Sequence, residues 1–263
     1  MDLQIPYVVL GGGSNSIFAD AGFRGLVIHM QARSISLEED NKKSDPKFGI
    51  ISAEAGALLS QVIHFALKHN LSGMERMTGI PGTVGGAARG NAGAFGIEMK
   101  DIVDRAIIYK PRGKIREVTK KYFKYHYRSS VIKHNNDIIL KIFFKLRRAS
   151  AEDVKAAMAE AANIIKNRIS KQPKGKCSGS FFKNPGLELK AGYLLEQAGC
   201  KGLQVGKIMV SELHANWLIN MGGGTQNDVL GLCKILKEKV KSRFKVDLEP
   251  EVQIVGATGF LNV

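Results

Sequence analysis

The amino-acid sequence predicts an α+β fold. Short apolar runs of β-forming residues stop at glycines or polar turns, and three longer segments instead repeat apolar residues at helical spacing. These helical segments begin near Leu58, Ser150 and Thr225. A chain of 263 residues can bury a full hydrophobic core and is long enough to divide into two or three subdomains.

The predicted strands lie mostly in the first half of the chain. Residues 7–10 form a short apolar run that stops at three glycines, and residues 25–30 form a second run, which predicts strand, phosphate loop, strand. A polar, exposed turn is expected at residues 40–48. Further strands are predicted at 102–103, 106–109 and 138–144, with a hairpin turn at Pro111-Arg112-Gly113.

The predicted helices begin at recognisable caps or end at a polar residue. The first runs from Leu58 to Lys68 and ends near Asn70. Ser150 with Asp153, and later Thr225 with Asp228, resemble capping boxes that use Asp in place of Glu. The apolar faces expected on the second and third helices are Val154, Met158, Ala161, Ile165 and Ile169, and Val229, Leu232, Leu236 and Val240.

A composition shift at Ser150 predicts a new subdomain there. After the last helix, residues 246–255 are strand-like and contain Glu249-Pro250-Glu251. Because side chains alternate along a strand, Glu249 and Glu251 would share one face, either at a site or on a solvated edge.

Composition limits the classes of function. The formal net charge is +15, but Lys and Arg are spread along the chain, from Lys42-Lys43 to Lys237, which favours a field that attracts anionic small molecules over nucleic-acid binding. The three cysteines and six histidines have no metal-ligand spacing, so no metal is expected. No apolar run reaches the roughly 18 residues of a membrane span, and no export signal is evident, so a cytoplasmic location without membrane attachment is expected.

Two glycine-rich loops indicate phosphate binding, because glycine lets backbone N–H groups approach an anion closely. They are Gly11-Gly12-Gly13-Ser14-Asn15 and Gly79-Ile80-Pro81-Gly82-Thr83-Val84-Gly85-Gly86. Neither has the Lys-Ser/Thr of a P-loop or the spacing of the dinucleotide fingerprint, and either could be an ordinary turn.

Residues 179–185, Gly-Ser-Phe-Phe-Lys-Asn-Pro, place one hydroxyl beside a cation and an amide in a predicted turn that ends at proline. Ser180 has no activating histidine or GxSxG elbow nearby, which argues against acyl chemistry and leaves a proton donor or a plain turn residue. Arg128 lies among tyrosines and serines, as an anion clamp or as a surface side chain would. His214 is either catalytic or structural.

Together these motifs resemble the UDP-N-acetylenolpyruvoylglucosamine reductases, in seven blocks spread over residues 7–256. The blocks are LGGGSN at 10–15, SGMERMTGIPGTVGGA at 72–87, NAGAFG at 91–96, YRSS at 127–130, GSFFKNP at 179–185, SELHANWLIN at 211–220 and LEPEV at 248–252. The short spacing between Arg128 and Ser180 resembles the subclass without a tyrosine-bearing loop.

The resemblance implies an FAD-binding fold of the vanillyl-alcohol oxidase type with a separate α+β substrate-binding subdomain. Residues 1–148, completed by 245–263, would form the FAD-binding region in two subdomains, and residues 149–244 would bind substrate. Only nine residues precede LGGGSN, so the first subdomain is expected to be truncated. The implied protein is a monomer that binds a UDP-sugar but no nucleic acid.

The resemblance also assigns site residues. The catalytic residues would be Ser180, Arg128 and Glu251. Substrate would contact Tyr127, Lys183, Asn184 and His214. Non-covalent FAD would be held by Gly11, Gly12, Gly13, Ser14, Asn15, Gly79, Ile80, Pro81, Gly82, Thr83, Gly85, Gly86, Asn91, Ala92 and Gly93.

The activity implied is NADPH-dependent, FAD-mediated reduction of UDP-N-acetylglucosamine enolpyruvate to UDP-N-acetylmuramate in peptidoglycan synthesis. Arg128 would stabilise the charge that develops on the carboxylate, Glu251 would help to hold or protonate it, and Ser180 would donate a proton to the adjacent carbon. The alternatives are another FAD-dependent oxidoreductase of the same fold, a relative that no longer binds FAD and, from a different class, a basic nucleic-acid-binding protein.

Overall fold

The computed structural model describes residues 5–39, 45–111, 113–186 and 188–261. Most of the predicted 40–48 turn, and Arg112 of the predicted hairpin turn, therefore lie outside the described residues. Within these ranges the helices are α1 (Leu59–Lys68), α2 (Val84–Gly90), α3 (Met99–Ile102), α4 (Ala151–Lys171), α5 (Ala191–Gln197) and α6 (Gln226–Phe244).

The strands are short at both ends of the chain and longer in the middle. They are β1 (Tyr7–Leu10), β2 (Ser16–Phe18), β3 (Leu26–His29), β4 (Ile35–Leu37), β5 (Phe48–Glu54), β6 (Leu71–Ser72), β7 (Gly93–Ala94), β8 (Ile97–Glu98), β9 (Val103–Lys110), β10 (Lys114–Thr119), β11 (Ile138–Arg148), β12 (Gln204–Val205), β13 (Ile208–Val210), β14 (Leu218–Asn220) and β15 (Gln253–Val255). The mixed content is that of an α+β protein, as predicted.

The chain divides by contacts into two compact units. The sheet unit comprises Val9–Gly12 and His29–Arg168, and the serine unit comprises the chain up to Val8, Gly13–Ile28 and everything from Ile169 onward. This division follows compactness alone, so the functional boundaries at 148 and 245 stay a prediction.

An antiparallel sheet with strand order β10-β9-β11-β5-β4 forms the sheet unit, with β6 added beside β11. Lys114 pairs with Lys110, which confirms the β9–β10 hairpin. The apolar stripe of α1, including Leu59, Val62 and Ala66, is buried in the core of this unit, as the helical spacing predicts. Ile102 is an exception, because it ends α3 instead of beginning a strand.

The start of α4 is confirmed, but its predicted apolar face is partly wrong. Ser150 Oγ accepts from the N–H of Asp153 at 3.1 Å, and the Asp153 carboxylate accepts from the N–H of Ser150 at 3.2 Å. The buried stripe is Val154, Ala157, Ala161 and Ile164, whereas Met158, Ile165 and Ile169 are exposed. The buried stripe of α4 therefore lies beside the predicted one, and it includes alanines as well as larger apolar residues.

A second core belongs to the serine unit and packs around α5, α6 and the short sheet β12-β13-β14. The capping box of Thr225 and Asp228 starts α6 as predicted, and the face that includes Leu232 and Leu236 is buried. Each of those leucines contributes roughly 1.5–3 kcal/mol of apolar burial. None of the helices in the described ranges is long and apolar enough to cross a membrane.

Residues 246–255 form less strand than predicted. Only Gln253–Val255 is a strand, paired in parallel with β2, which the sequence did not indicate. Pro250 lacks an N–H and forms only an isolated bridge with Phe182. The two glutamates beside it are therefore not on a continuous strand face.

Candidate functional site

The two glycine loops meet inside the sheet unit. A Cβ on Gly11 would stand 2.2 Å from Oγ1 of Thr83, and one on Gly12 would stand 3.4 Å from Cα of Gly82. Only glycine at position 11 fits this approach without moving the other loop. The structure therefore brings together two predicted phosphate loops that lie about seventy positions apart in the sequence.

The second loop retains unused backbone donors. Gly79 and Gly82 have φ of 80° and 110°, the left-handed region that favours glycine. Among the described residues, the backbone N–H groups of Gly79, Gly82 and Thr83 find no acceptor. By contrast, the N–H of Gly85 at the start of α2 is taken by the carbonyl of Ala55 at 2.9 Å. The loop, not the helix end, therefore offers donors to an anion.

The remaining predicted residues of the second loop support its shape. Thr83 begins α2 as its N-cap, with Oγ1 accepting from the N–H of Gly86 at 3.4 Å. Ile80 donates its N–H to the carbonyl of Met77 at 3.1 Å and packs against the core of the sheet unit. Pro81 lies between them at the exposed tip.

The Asn91-Ala92-Gly93 turn is held by a buried amide. Asn91 is fully buried at φ 47°, donates from Nδ2 to the carbonyl of His126 at 2.9 Å and accepts at Oδ1 from the N–H of Lys100 at 3.0 Å. A second Nδ2 contact reaches the carboxylate of Glu98 at 3.1 Å. The side chain of Asn91 thus organises the turn, and any cofactor contact there would come from backbone groups such as those of Gly93.

Arg128 is fixed against the same turn. Its guanidinium donates to the carbonyl of Gly93 at 3.0 Å and lies over the ring of Tyr127, 5.1 Å from the centroid. Its own carbonyl accepts from Nζ of Lys133 at 2.7 Å, and its φ of 53° is unusual for a residue other than glycine. Strained backbone held by tertiary contacts is common at functional sites. Within the sheet unit, the predicted catalytic Arg128 therefore contacts the predicted FAD-binding residue Gly93.

Ser180 belongs to an extended segment of the serine unit instead of the tight turn that was predicted. Phe181 donates its N–H to the carbonyl of Asn216 at 2.8 Å and accepts at its carbonyl from the N–H of Glu251 at 2.8 Å. Both Phe181 and Phe182 are buried, whereas Ser180 is exposed. The hydroxyl is therefore presented at the surface from a segment anchored on both sides.

Asn15 connects the first glycine loop to this segment within the serine unit. Its Nδ2 donates to the carbonyl of Glu251 at 3.2 Å, and its carbonyl accepts from the N–H of Gln253 at 3.0 Å. The loop itself closes through the carbonyl of Gly13, which accepts from the N–H of Ser16 at 3.3 Å, and Ser14 lies half-buried between these residues. Predicted cofactor and catalytic residues are thus neighbours here.

Comparison with known proteins identifies the family. Residues 170–255 match the model of the "UDP-N-acetylenolpyruvoylglucosamine reductase, C-terminal domain", and residues 2–119 match the "FAD binding domain". Curated reductases of that name from Caldanaerobacter subterraneus and Clostridium novyi are 39% and 38% identical over 254 residues, covering 96% of this chain and 80% and 79% of theirs. The chain belongs to the UDP-N-acetylenolpyruvoylglucosamine reductase family.

A solved structure supports the same assignment. The reductase from Thermus caldophilus superposes with a TM-score of 0.78 at 30% identity, covering 96% of this chain and 86% of that one. The predicted FAD-binding fold is confirmed by this structure and by the match to the FAD binding domain, and the chain is an FAD-dependent oxidoreductase.

The sheet unit fits the FAD that this reductase family uses. Three side-chain atoms in the described part of the chain are buried without a hydrogen-bond partner, and two of them, Thr78 Oγ1 and Arg168 Nε, border Gly79. Together with the spare N–H groups of the loop, they form a donor-rich surface suited to an anion. Sequence reasoning missed both residues: Thr78 lies in the 72–87 block but before the first glycine of the loop, and Arg168 lies in none of the motifs.

The predicted substrate residues of the serine unit already form hydrogen bonds or an ion pair within the protein. Lys183 Nζ pairs with the Glu249 carboxylate, and Asn184 Oδ1 accepts from the N–H of Ala191 at 3.1 Å, at the start of α5. His214 Nδ1 accepts from the N–H of Asn216 at 3.2 Å, and burial lowers the pKa of this imidazole. A neutral imidazole here can accept hydrogen bonds but does not supply a cation.

Asn216 is a further residue that sequence reasoning missed. Its Oδ1 accepts from the N–H of Phe182 at 2.9 Å, and its Nδ2 donates to the carbonyl of Phe182 at 2.9 Å. The buried side-chain amide of Asn216 thus forms the pair of hydrogen bonds that the backbone of a neighbouring strand would otherwise give to the segment after Ser180. Its position in the SELHANWLIN block was visible, but its partner 34 positions away was not.

Proposed function

We propose that this chain carries out the reduction for which its family is named, with Ser180, Arg128 and Glu251 as its catalytic residues. The reaction is reduction of UDP-N-acetylglucosamine enolpyruvate to UDP-N-acetylmuramate in peptidoglycan synthesis, with FAD as cofactor and NADPH as reductant. Family membership favours this reaction over that of another FAD-dependent oxidoreductase with the same fold.

The observation that carries the residue assignment is the backbone pairing of the serine segment with Glu251. Glu251 donates its backbone N–H to the carbonyl of Phe181, the residue after Ser180, at 2.8 Å, which supports the assignment of Ser180 and Glu251 to one site. No partner of Ser180 Oγ is present among the described residues, so the hydroxyl is open to a substrate.

Bound FAD supplies the hydride chemistry between NADPH and the terminal vinyl carbon of the substrate. Hydride addition there moves negative charge toward the substrate carboxylate, which Arg128 stabilises as a fixed cation. Ser180 then gives its proton to the carbon that bears the carboxylate, and Glu251 holds or protonates the charged group. One hydride and one proton are thereby added across the double bond.

An alcohol is a very weak acid, so Ser180 needs polar assistance to donate a proton. Lys183, three residues further along, is the nearest cation in the sequence, and its ammonium is paired with Glu249. Any help from Lys183 must therefore compete with this ion pair.

The test separates the two half-reactions by stopped-flow absorbance of the flavin. In Ser180→Ala, reduction by NADPH should proceed at the parent rate, whereas reoxidation by the enolpyruvyl substrate should slow by about 10²- to 10⁴-fold. Ser178→Ala makes the same change two residues away and serves as the control. Parent-like reoxidation in Ser180→Ala would refute the proton-donor role.

The basic charge is proposed to attract UDP-sugar, FAD and NADPH to a cytoplasmic monomer that binds neither membranes nor nucleic acid. The charged residues are distributed over the whole sequence, which supports this assignment. Duplex DNA should bind no better than the non-specific range of roughly 10⁻⁴ to 10⁻⁶ M at physiological salt. Tight, salt-tolerant binding would contradict it, and light scattering would check the monomer.

A further inference from the structure

Two unsatisfied polar atoms lie beside the second glycine loop. Thr78 immediately precedes Gly79, and its Oγ1 is buried without a partner. Arg168 reaches the same glycine from the last turn of α4, with Cδ and Nε lying 2.7 and 3.1 Å from where a Cβ on Gly79 would stand. Buried polar atoms are nearly always hydrogen-bonded, so a pair of exceptions at one place indicates a missing partner.

The side chain of Arg168 is held between two motifs of the sheet unit. Its stem covers Gly79, and its Cζ lies 5.9 Å from the ring centroid of Phe95 in the NAGAFG turn. Burial lowers the pKa of the guanidinium, but arginine remains charged in proteins. No carboxylate in the described residues pairs with it. A half-buried cation without a counter-ion attracts an anion.

The surrounding backbone favours the same kind of ligand. Gly79 and Gly82 have N–H groups without acceptors among the described residues, and both adopt positive φ. The guanidinium and the free N–H groups are donors and the hydroxyl can also donate, and among the described residues the Arg168 Nε, the Thr78 Oγ1 and the two N–H groups have no hydrogen-bond partner. An anionic group with several oxygens would satisfy them together.

We propose that Arg168, assisted by Thr78, is a further FAD-binding residue that holds a negatively charged group of the cofactor. This rests on the FAD dependence of the proposed function. Two parts of FAD offer that chemistry: the diphosphate, and the N1–C2=O edge of the flavin, which gains negative charge on reduction. Both would receive the guanidinium as a charge-assisted donor.

The first experiment measures the dissociation constant of FAD by fluorescence titration of the apoprotein. Arg168→Gln should weaken FAD binding by roughly 10- to 100-fold, as expected for loss of a hydrogen bond to a charged group. Arg168→Lys should recover part of the affinity, and Thr78→Val should show a smaller loss. Lys166→Gln removes the same charge from an exposed position of the same helix and should bind FAD like the parent.

Two further measurements distinguish the group that is bound. If Arg168 holds the diphosphate, Arg168→Gln should also weaken competition by ADP and leave riboflavin binding unchanged. If it faces the flavin, ADP competition should be unchanged, while the midpoint potential of bound FAD becomes more negative because a nearby cation has been lost. Unchanged FAD affinity, ADP competition and potential in Arg168→Gln would overturn the proposal.

Thermal unfolding separates cofactor binding from a structural role. Because Arg168 has no counter-ion in the described residues, Arg168→Gln should leave the apoprotein as stable as the parent and reduce only the stabilisation that FAD adds. An equal loss in both forms would also overturn the proposal. None of these readouts uses substrate turnover, so an enzyme that binds FAD but fails to reduce the enolpyruvyl sugar would refute the proposed function and leave this inference standing.

Discussion

Replacing Asn216 by alanine should loosen the segment that carries Ser180. The substitution removes both hydrogen bonds to Phe182, each 2.9 Å long, and leaves its buried N–H and carbonyl without protein partners. Leaving a buried polar group unsatisfied costs about 1–3 kcal/mol, so the two together cost roughly 2–6 kcal/mol. At about 2–4 °C per kcal/mol for a chain of this size, the Tm should fall by at least ~4 °C.

The same substitution should also slow one half-reaction. Ser180 lies two residues before Phe182, and a displacement of about 1 Å in a catalytic group can cost roughly 10²-fold in rate. Reoxidation of the reduced flavin by substrate should therefore slow, whereas reduction by NADPH should stay close to the parent rate. Stopped-flow absorbance on the FAD-loaded variant measures both phases.

Asn227→Ala is a suitable control, because it removes an exposed amide from α6. It should change neither the Tm by more than about 1 °C nor either half-reaction, since surface substitutions usually stay within roughly 0.5 kcal/mol. A parent-like Tm for Asn216→Ala would refute the claim that its amide replaces a strand partner. A lower Tm with normal reoxidation would show that the amide stabilises the fold without positioning Ser180.

Three further predictions concern the loops, a helix cap and pH. Gly11→Ala should weaken FAD binding at least ~10-fold, because its methyl group would clash with Thr83. Gly90→Ala is the control, since a Cβ there meets nothing within 4 Å and FAD binding should not change. Fluorescence titration with FAD measures both dissociation constants. Thr225→Ala should cost about 0.5–2 kcal/mol, measured by urea unfolding, because the α6 cap is lost. Burial lowers the pKa of His214 below 6.5 in the folded protein. As the pH falls below 6.5, the unfolded chain therefore binds more protons than the folded protein, and stability declines. His214→Gln should make the decline of Tm with falling pH less steep, and an unchanged slope would contradict this prediction.

Elements specified by neighbouring residues were predictable from the sequence. The boundaries of α1 and the capping boxes at Ser150 and Thr225 depend on residues within one or two turns, and the structure contains all of them. The buried face of α4 was not predictable in this way. Met158 and Ala157 lie on adjacent stripes of the helix, and only packing against the sheet unit decides which stripe is covered.

The candidate site was also only partly predictable from the sequence. A motif shows which residue types are present, but it does not show which of their atoms are left free to bind a ligand. Asn91 was predicted to hold FAD, yet its amide is consumed by partners as far away as His126, 35 positions along the chain. Arg168 shows the converse: in sequence it resembles a solvated arginine near the end of a polar helix, and only folding leaves its Nε buried beside Gly79 without an acceptor. An amide within a motif can therefore be structural, whereas a cation outside every motif can be left without an acceptor. The comparison of Arg168→Gln with Lys166→Gln tests that distinction, because the two substitutions are equivalent in the sequence and differ only in the folded protein.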